Sequence, residues 1–235
     1  MREHNEDRWC AHDDLGLYVV SDGIGGGPAG ELASEIVVQA LPAIVAERFA
    51  RGARDTRARD AGLRLRAALA QLSAQVRDGA SARPGLAGMG ATAVVALIRD
   101  STALIAHIGD SRAYLWRTGV LTRLTRDHSL ARALVDAGQI TEPEAAAHPG
   151  REQLTRYMGM QGEALPEARR RRLCPGDRLL LCTDGLSGTL DRAQLCAILG
   201  AHPDPHSASR ALVHAAQQAG AGDDVTALVI VYDPR

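Results

Sequence analysis

Leu15-Gly-Leu-Tyr-Val-Val-Ser-Asp22-Gly23 is an apolar run that closes with an aspartate and a glycine. The same pattern returns in Leu179-Leu-Leu-Cys-Thr-Asp184-Gly185, and the acidic pair Asp223-Asp224 precedes the apolar run from Val225 to Tyr232. Apolar strands hold carboxylates rigidly, and glycine lets the backbone and an ion approach closely. These segments therefore predict ligands for a hard metal ion at the ends of strands.

The composition fits a globular protein with a sizeable core, since 46% of its 235 residues are hydrophobic. No linker or low-complexity tract divides the sequence, so residues 1–235 are interpreted as a single domain. A net charge of −1 and an aromatic content of 3% argue against nucleic acid and anionic membranes as partners. The 4 cysteines lack paired spacing, which argues against a zinc site and fits a reducing compartment. Without a secretion signal or an apolar stretch of about 18 residues, a cytoplasmic protein is expected.

The first half of the chain predicts one strand and two helices. The strand covers 15–21, and a glycine-rich turn at 23–30 follows it. Apolar residues at helical spacing then run from 33 to 45, with Pro42 kinking or restarting the helix. A second helix is predicted to end near Gly79.

The second half predicts mainly strands. Short apolar runs at 91–98, 102–108 and 112–116 indicate an antiparallel meander. Residues 128–163 are polar, with helical pieces at 130–137 and 142–147, as is typical of a surface flap. There follow a strand pair at 165–173 and 178–183, helices at 191–199 and 205–219, and a strand at 225–232. This order predicts two sheets flanked by helices, and not a βαβ arrangement.

The candidate metal ligands are all carboxylates: Glu6, Asp7, Asp22, Asp110, Asp184 and Asp223. No histidine or cysteine accompanies them at ligand spacing, and such a set of oxygen donors selects Mg²⁺ or Mn²⁺. Carboxylates gathered in one cleft either take up protons or bind cations. Arg2 supplies a guanidinium suited to a phosphate monoester.

Simpler interpretations stay open for each residue taken singly. An Asp-Gly pair at a strand end is usually a turn, and Asp110 in Gly-Asp-Ser-Arg also fits a hairpin turn. Asp177 is interpreted as a turn residue, and we assign Asp13, Asp14 and Asp127 to the surface. The segment Gly25-Gly-Gly27-Pro-Ala-Gly30 matches a dinucleotide-binding pattern, but no clear second parallel strand ending in an acid follows it.

Seven short motifs, in order, resemble those of the metal-dependent Ser/Thr protein phosphatases of the PP2C type (PPM), in their compact bacterial form. Each motif is weak alone, but together they cover nearly the whole chain. They are Arg2-x-x-Asn5-Glu6-Asp7, Val20-Ser-Asp22-Gly23-Ile-Gly25-Gly26, Gly88-Met-Gly90-Ala-Thr92, His107-Ile-Gly109-Asp110-Ser111-Arg112, Asp127-His128-Ser129, Leu181-Cys-Thr-Asp184-Gly185-Leu186 and Gly220-x-x-Asp223-Asp-Val-Thr226.

The resemblance implies an α+β fold, a four-layer α-β-β-α sandwich with two central, mostly antiparallel sheets. It implies hydrolysis of phosphoserine and phosphothreonine on proteins with two Mn²⁺ or Mg²⁺ ions and a third, weaker metal. A metal-bridged water would attack phosphorus in line, without a phosphoenzyme. The implied partners are phosphoproteins, among them a bacterial Ser/Thr kinase and its substrates, in bacterial signalling. We expect a monomer.

The same resemblance assigns roles to the site residues. Asp22 would bridge both metals, the Gly23 carbonyl would bind one of them, and Asp184 and Asp223 would bind the other. Glu6 would act through metal-bound water, Asp7 resembles an acid placed near the metals, and Asp110 resembles the ligand of the third metal. Arg2 resembles the phosphate-binding arginine, and residues 128–160 resemble the flap that tunes substrate access.

Two features depart from the family pattern, and Ile24 is an apolar residue of the kind that bacterial relatives commonly have at its position. Ile24 stands where animal members carry a histidine proposed as general acid, so a metal-bound water would protonate the leaving group. Asp224 stands where asparagine is usual, and its added charge would either tighten metal binding or impair the site. The family's edge strand before Arg2 is missing, so a loss of phosphate affinity and of some stability is expected.

Three further hypotheses concern the same sequence. A catalytically silent phosphoprotein-binding module of this fold is the alternative function. The run Arg169–Arg172 would place two arginines on each face of a strand, where they would steer acidic phosphoprotein segments. His128 in the flap fits a structural role at least as well as a catalytic one.

Overall fold

The computed structural model describes residues 4–25, 28–51, 58–83, 85–86 and 88–233. Arg2, the predicted phosphate-binding residue, lies outside these ranges, as do Gly26 and Gly27 of the glycine-rich turn. Within them the strands are β1 (Asp7–His12), β2 (Leu17–Ile24), β3 (Gly90–Ala91), β4 (Ala93–Arg99), β5 (Thr102–Ile108), β6 (Arg112–Arg117), β7 (Val120–Arg123), β8 (Glu167–Arg172), β9 (Asp177–Cys182) and β10 (Ala227–Tyr232). The helices are α1 (Pro28–Arg51), α2 (Ala58–Ser81), α3 (Leu130–Asp136), α4 (Glu142–Ala147), α5 (Asp184–Ser187), α6 (Arg192–Ala201) and α7 (Pro205–Gln218).

Two antiparallel sheets form the centre of the fold. The first has the order β1-β2-β4-β5-β8, with β3 paired to β2, and the second has the order β10-β9-β6-β7. Helices α1 and α2 cover the first sheet, where Leu69 shares a buried cluster with Leu97. Helices α6 and α7 cover the second, where Leu195 packs in a cluster with Leu180. A further apolar cluster lies between the sheets. The predicted four-layer α-β-β-α sandwich is confirmed.

Helix α1 is apolar because one of its faces forms part of the core. Ala33, Val37, Leu41 and Val45 recur every four residues and are buried, the spacing of one helical face. The helix continues through Pro42 without a restart. The stretch Ala29–Ala50 has a mean hydropathy of 1.4 and is long and apolar enough to cross a membrane. No such stretch was expected from the sequence. Its buried face is that of a core helix.

Two strand pairings predicted from the sequence are wrong, although the strands themselves exist. β4 and β5 pair as expected, but β6 belongs to the second sheet and pairs with β7 and β9. β8 and β9 do not pair with each other either, since β8 lies beside β5, and β9 lies between β6 and β10. A short turn fits a hairpin and a sheet-to-sheet crossing equally well, so local sequence cannot distinguish them. The crossing from β5 to β6 matters for the site, because it carries Asp110 from one sheet to the other.

The end of β2 and the start of α1 approach so closely that only glycine fits. A Cβ on Gly23 would lie 2.2 Å from the Gly30 carbonyl oxygen, and one on Gly30 would lie 2.3 Å from Glu6 Oε2. Both distances are far below van der Waals contact, so the glycines at these positions serve helix packing and access to the carboxylates. The dinucleotide interpretation fails on topology, since β1, β3 and β4 all run antiparallel to β2 in the described sheet.

Gly23→Ala tests this close approach. The added methyl group meets backbone that cannot move aside, so we expect the free energy of unfolding to fall by about 1–3 kcal/mol. Gly62→Ala is the matched control, because its Cβ would meet no atom within 4 Å inside α2. That substitution should raise stability by up to about 1 kcal/mol through helix propensity. Urea unfolding with EDTA present measures both, and equal stability of the two variants would contradict the packing argument.

Candidate metal centre

Asp7 and Asp22 lie directly opposite each other in the β1–β2 ladder of the first sheet. The backbone nitrogen of Asp22 donates to the Thr92 hydroxyl at 3.0 Å, and its carbonyl accepts from the Thr92 nitrogen at 2.8 Å. Gly23 is tied in turn to the Glu6 carbonyl by a 3.1 Å hydrogen bond. Hydrogen bonds therefore fix the end of β2 on both sides, and this determines the position from which the Asp22 side chain extends.

The second sheet delivers Asp184 and Asp223. The Thr183 nitrogen donates to the Thr226 carbonyl at 3.2 Å, and the Thr226 nitrogen donates to the Thr183 hydroxyl at 3.1 Å. A Cβ on Gly185 would lie 2.0 Å from the Asp224 carbonyl oxygen, so glycine is required there. These contacts hold the segment after β9 against the segment before β10. Because Asp184 lies in the first segment and Asp223 in the second, the contacts keep the two aspartates close to each other.

A threonine hydroxyl joins the two sheets at this point. Thr183 Oγ1 donates to Asp7 Oδ2 at 2.8 Å, and both residues are buried. Asp224 makes a second link, because its Oδ2 accepts from the Glu6 nitrogen at 2.9 Å. Asp224 in place of the usual asparagine thus still provides a carbonyl-type acceptor, with a negative charge added. Its own nitrogen donates to Asp223 Oδ1 at 2.7 Å.

Asp110 arrives from the crossing between β5 and β6. Gly109 before it has a φ of 102°, and a Cβ there would lie 2.7 Å from the Thr92 side chain. Ser111 after it shares a 2.6 Å hydroxyl–hydroxyl hydrogen bond with Thr92. The crossing is thereby fastened to the same threonine that positions Asp22.

One cavity of about 1230 Å³ collects these residues. Its walls include Glu6, Asp22, Gly23, Asp110, Asp184 and Asp223. Asp7 lies behind the wall, where Thr183 binds it. The flap, residues 128–160, forms the facing wall with Ser129, Arg132, Leu154 and Tyr157. The structure thus brings every described candidate ligand to a single place, and their roles as ligands stay predictions.

The carboxylates of this cavity repel one another. Burial raises the pKa of Asp22 well above its ordinary value, and the charges of Asp7, Asp184, Asp110 and Asp223 raise it further. Burial likewise raises the pKa of Asp7 to about 7, with the charges of Asp224 and Asp184 adding to the shift. For Asp110, burial and the Asp184 charge raise the pKa to about 8. Such groups gain from a proton or from a cation.

Two carboxylate oxygens indicate which of these partners fits. Asp7 Oδ1 and Asp184 Oδ1 are buried and accept no hydrogen bond from the described protein. An unpaired buried carboxylate oxygen is costly, and a hard divalent cation is the partner that an all-oxygen donor set favours. The residues present therefore fit Mn²⁺ or Mg²⁺.

Asp127 is not the surface residue that the sequence suggested. Only 13% of its side chain is exposed, and it accepts from Arg112 Nη2 at 2.8 Å and from Arg112 Nε at 3.1 Å. Arg123 Nη2 binds the same carboxylate. All three residues line the cavity. No sequence motif indicates this cluster, because its members come from the start of β6, the end of β7 and the root of the flap.

Asp177 was interpreted as an ordinary turn residue, and that interpretation is incomplete. Its nitrogen does close the turn by donating to the Cys174 carbonyl at 3.0 Å. Its side chain, however, is 1% exposed and forms an ion pair of 2.6 Å with Arg117. The residue therefore anchors β9 to the end of β6, far from the candidate ligands.

A second cluster, absent from the sequence predictions, lies under the flap. His107, His128 and Glu167 bring one potential ligand atom each within 4.8 Å of one another, and the cavity acids form no such group among the described residues. Gly109 N–H can only donate, and it points at His128 Nδ1 at 3.2 Å, so the proton of that ring lies on Nε2. His107 Nε2 lies 2.7 Å from the Arg126 carbonyl, which can only accept a hydrogen bond, so this nitrogen carries a proton.

The hydrogen bonds therefore argue against a metal ion at this cluster. His128 Nε2 faces Glu167 Oε1 at 3.5 Å, and Arg156 lies at the same distance from that oxygen. Burial lowers the pKa of His128 to about 4, so the ring is neutral near pH 7. Its carbonyl accepts from the Thr155 nitrogen at 2.8 Å, which closes the base of the flap. We interpret His128 as a structural residue of the flap root.

The comparisons with known proteins agree on one family. The family model of "Protein phosphatase 2C" matches residues 2–217. "Serine/threonine phosphatase stp" of Listeria monocytogenes is 31% identical over 99% of this chain and 92% of its own length. "Serine/threonine protein phosphatase PstP" of Mycobacterium tuberculosis is 36% identical over 97% of this chain, which spans 42% of that protein. The solved catalytic domain of PstP in complex with two manganese ions has a TM-score of 0.76 and 32% identity, covering 100% of this chain and 94% of that one.

The chain therefore belongs to the protein phosphatase 2C family. The predictions of a PP2C-type phosphatase and of its serine/threonine phosphatase class are confirmed. The manganese in the PstP structure supports divalent metals as cofactors of the family.

The pH dependence of stability tests the crowding of carboxylates. A carboxyl whose pKa is raised by folding stabilises the fold at low pH and loses that contribution as pH rises through the folded value. With pKa values of about 7 for Asp7 and about 8 for Asp110, the metal-free protein should lose stability between pH 6.5 and 8.5. The loss should be about 1–2 kcal/mol by urea unfolding in EDTA.

The chosen window avoids the opposite effect of His128, whose lowered pKa acts below about pH 6.5. Asp110→Asn removes one titrating group and should flatten the slope. Added Mn²⁺ should raise the melting temperature more at pH 8 than at pH 6.5. A metal-free stability that is constant or rises across this window would show that the carboxylates are not crowded.

Proposed function

We propose that the chain hydrolyses phosphoserine and phosphothreonine esters on proteins, in a reaction that needs two divalent cations, Mn²⁺ or Mg²⁺. One observation carries the proposal: strand ends of both sheets deliver Asp22, Asp184 and Asp223 to one cavity, where the buried Asp184 Oδ1 accepts no hydrogen bond from the described residues. Membership of the protein phosphatase 2C family supports it.

The residues proposed to hold the two ions are Asp22, the Gly23 carbonyl, Asp184 and Asp223, with Glu6 and Asp7 nearby. Asp110 is proposed as the ligand of a third, weaker ion. When bound, the ions supply a water of lowered pKa and positive charge for the phosphoryl oxygens. These carboxylates lie in or behind one wall of the cavity, which supports their assignment as metal ligands.

The protein's own groups position the reactants. Thr183 fixes Asp7, and Thr92 fixes the backbone of Asp22, so neither carboxylate swings away when substrate enters. Arg2 is proposed to bind the phosphate, as the guanidinium fork matches its geometry. In the proposed step, water forms a bond to phosphorus in line as the bond to the serine or threonine Oγ breaks, and the leaving oxygen takes up a proton. No phosphoenzyme forms.

The proposed setting is that of a bacterial signalling enzyme. Its partners would be phosphoproteins, among them a Ser/Thr kinase and that kinase's substrates. A cytoplasmic, monomeric protein with one domain over residues 1–235 is the setting that the composition favours.

Asp184→Asn tests the proposed activity. Wild-type protein should hydrolyse p-nitrophenyl phosphate and a phosphothreonine peptide only with added Mn²⁺ or Mg²⁺. Loss of one carboxylate charge at the cations should lower kcat/KM by at least about 100-fold. Asp136→Asn is the control, because Asp136 is an exposed partner of Arg132 on α3 and should leave the rate unchanged.

Activity that survives EDTA or the Asp184 substitution would overturn the proposal. A wild-type protein that binds the phosphopeptide without metal-dependent turnover would instead be the silent binding module. A thermal shift with NAD and none with Mn²⁺ would revive the dinucleotide hypothesis.

Asp224→Asn separates charge from hydrogen bonding at the unusual position. Asparagine retains an acceptor for the Glu6 nitrogen, so the fold should be preserved. Removal of a negative charge beside the site should weaken cation binding, and the Mn²⁺ concentration for half-maximal activity should rise about three- to tenfold. The maximal rate at saturating Mn²⁺ should stay within about twofold. A lower Mn²⁺ requirement in the variant would show that Asp224 impairs the site.

A further inference from the structure

Strand β8 exposes four consecutive arginines, Arg169–Arg172, at the free edge of the first sheet. Its pairing partner is β5, and in the described sheet no strand lies on its outer side. All four side chains are exposed. We name this feature the arginine edge.

The arginine edge presents charge on both faces of the sheet. Arg170 lies opposite Leu104, which belongs to the cluster under the helices. Arg169 lies opposite Ile105, which belongs to the cluster between the sheets. Residues directly opposite in a ladder share a face, so alternation puts two arginines on each side, as the sequence predicted.

The charge of this edge is not neutralised within the described protein. None of the four guanidiniums forms an ion pair with a described carboxylate, and the nearest polar contact is a 3.5 Å hydrogen bond from Arg170 to Thr102 Oγ1. Arg66 of α2 adds a further exposed cation, which donates to the Pro166 carbonyl just before β8. The chain as a whole carries a net charge of −1, so this concentration of positive charge is local.

The inner end of the arginine edge lies at the flap root, one strand away from the crossing that carries Asp110. Glu167, the first residue of β8, lies opposite His107 of β5 and 3.5 Å from His128 at the flap root. β5 ends at Ile108, directly before Gly109 and Asp110 of the cavity wall. The arginines therefore run outward from the cavity along an open strand edge.

Charged side chains on an edge strand commonly prevent pairing with other strands. Exposed arginines would discourage a neutral or basic strand from pairing with β8. With two arginines on each face, however, the same edge would attract an acidic strand. The two ends of the edge are occupied, because the carbonyls of Pro166 and Arg172 accept hydrogen bonds from the side chains of Arg66 and Arg117. A strand added here would therefore pair along residues 168–171 and would have arginines on each side of it. The arrangement thus selects its partner by charge.

We propose that the arginine edge docks an extended, acidic segment of the phosphoprotein substrate as an added strand beside β8. The proposal rests on the proposed function, since the docked segment would belong to the same polypeptide as the phosphoresidue in the cavity. A strand advances about 3.3 Å per residue, so four arginines match an acidic segment of roughly four to six residues. Recognition of this kind weakens as salt rises.

The test compares two phosphothreonine peptides that differ only in a flanking run of glutamates or of glutamines. With Mn²⁺ at low salt, wild type should show a kcat/KM about tenfold higher for the glutamate peptide, mainly through KM. The preference should disappear in Arg169→Glu/Arg171→Glu and in Arg170→Glu/Arg172→Glu. Arg192→Glu/Arg210→Glu makes the same charge change on exposed residues of α6 and α7 and should keep the preference.

Hydrolysis of p-nitrophenyl phosphate is measured in parallel and should be equal in all of these proteins. If it is absent in wild type, the proposed function fails, and binding of the unphosphorylated glutamate peptide by fluorescence anisotropy still decides the docking proposal. The docking proposal would be overturned if wild type showed no preference for the glutamate peptide, or if that preference survived in both β8 variants. Replacement of all four arginines by glutamine provides a second variant should charge reversal prevent folding.

Discussion

The burial of several like-charged carboxylates where two sheets meet is the constraint on which this protein depends. Each aspartate alone would tolerate a strand end facing water. Together, in and behind a cavity of about 1230 Å³, they raise one another's pKa values and leave Asp7 Oδ1 and Asp184 Oδ1 without a hydrogen-bond partner among the described residues. The fold holds them there because the surrounding core keeps both strand ends in place, and the repulsion is what makes a divalent cation favourable.

Small hydroxyl side chains make this arrangement rigid. Thr92 binds the backbone of Asp22 and the hydroxyl of Ser111, so one residue sets the positions of a strand end and of the crossing that carries Asp110. Thr183 does the same in the second sheet and reaches across to Asp7. The hydrogen bonds of these threonines determine where the carboxylates stand.

The sequence predicted seven of the described strands, the longer helices and the acidic strand ends, because hydrophobic runs and Asp-Gly pairs are local signals. It missed β1, β3 and β7 and the short helix α5. It failed where partners are distant along the chain. The crossing of β6 to the second sheet, the shared carboxylate of Asp127 and the His107–His128 pair each join segments that no local pattern connects. Asp127 looked like a surface residue because nothing in its neighbourhood shows that Arg112 and Arg123 converge on it. The ligand roles themselves came from family resemblance and motif order.

The hydroxyl of Thr183 that reaches Asp7 makes the two halves of the sandwich thermodynamically interdependent. Ions bound between Asp22 of the first sheet and Asp184 and Asp223 of the second would hold the two sheets together, since each sheet would supply only some of the ligands. A folding intermediate with one sheet formed would hold such an ion weakly. Under the proposed ligand set, cation affinity would depend on the relative position of the two sheets, and a perturbation that shifts one sheet against the other would release the ions before either core unfolds.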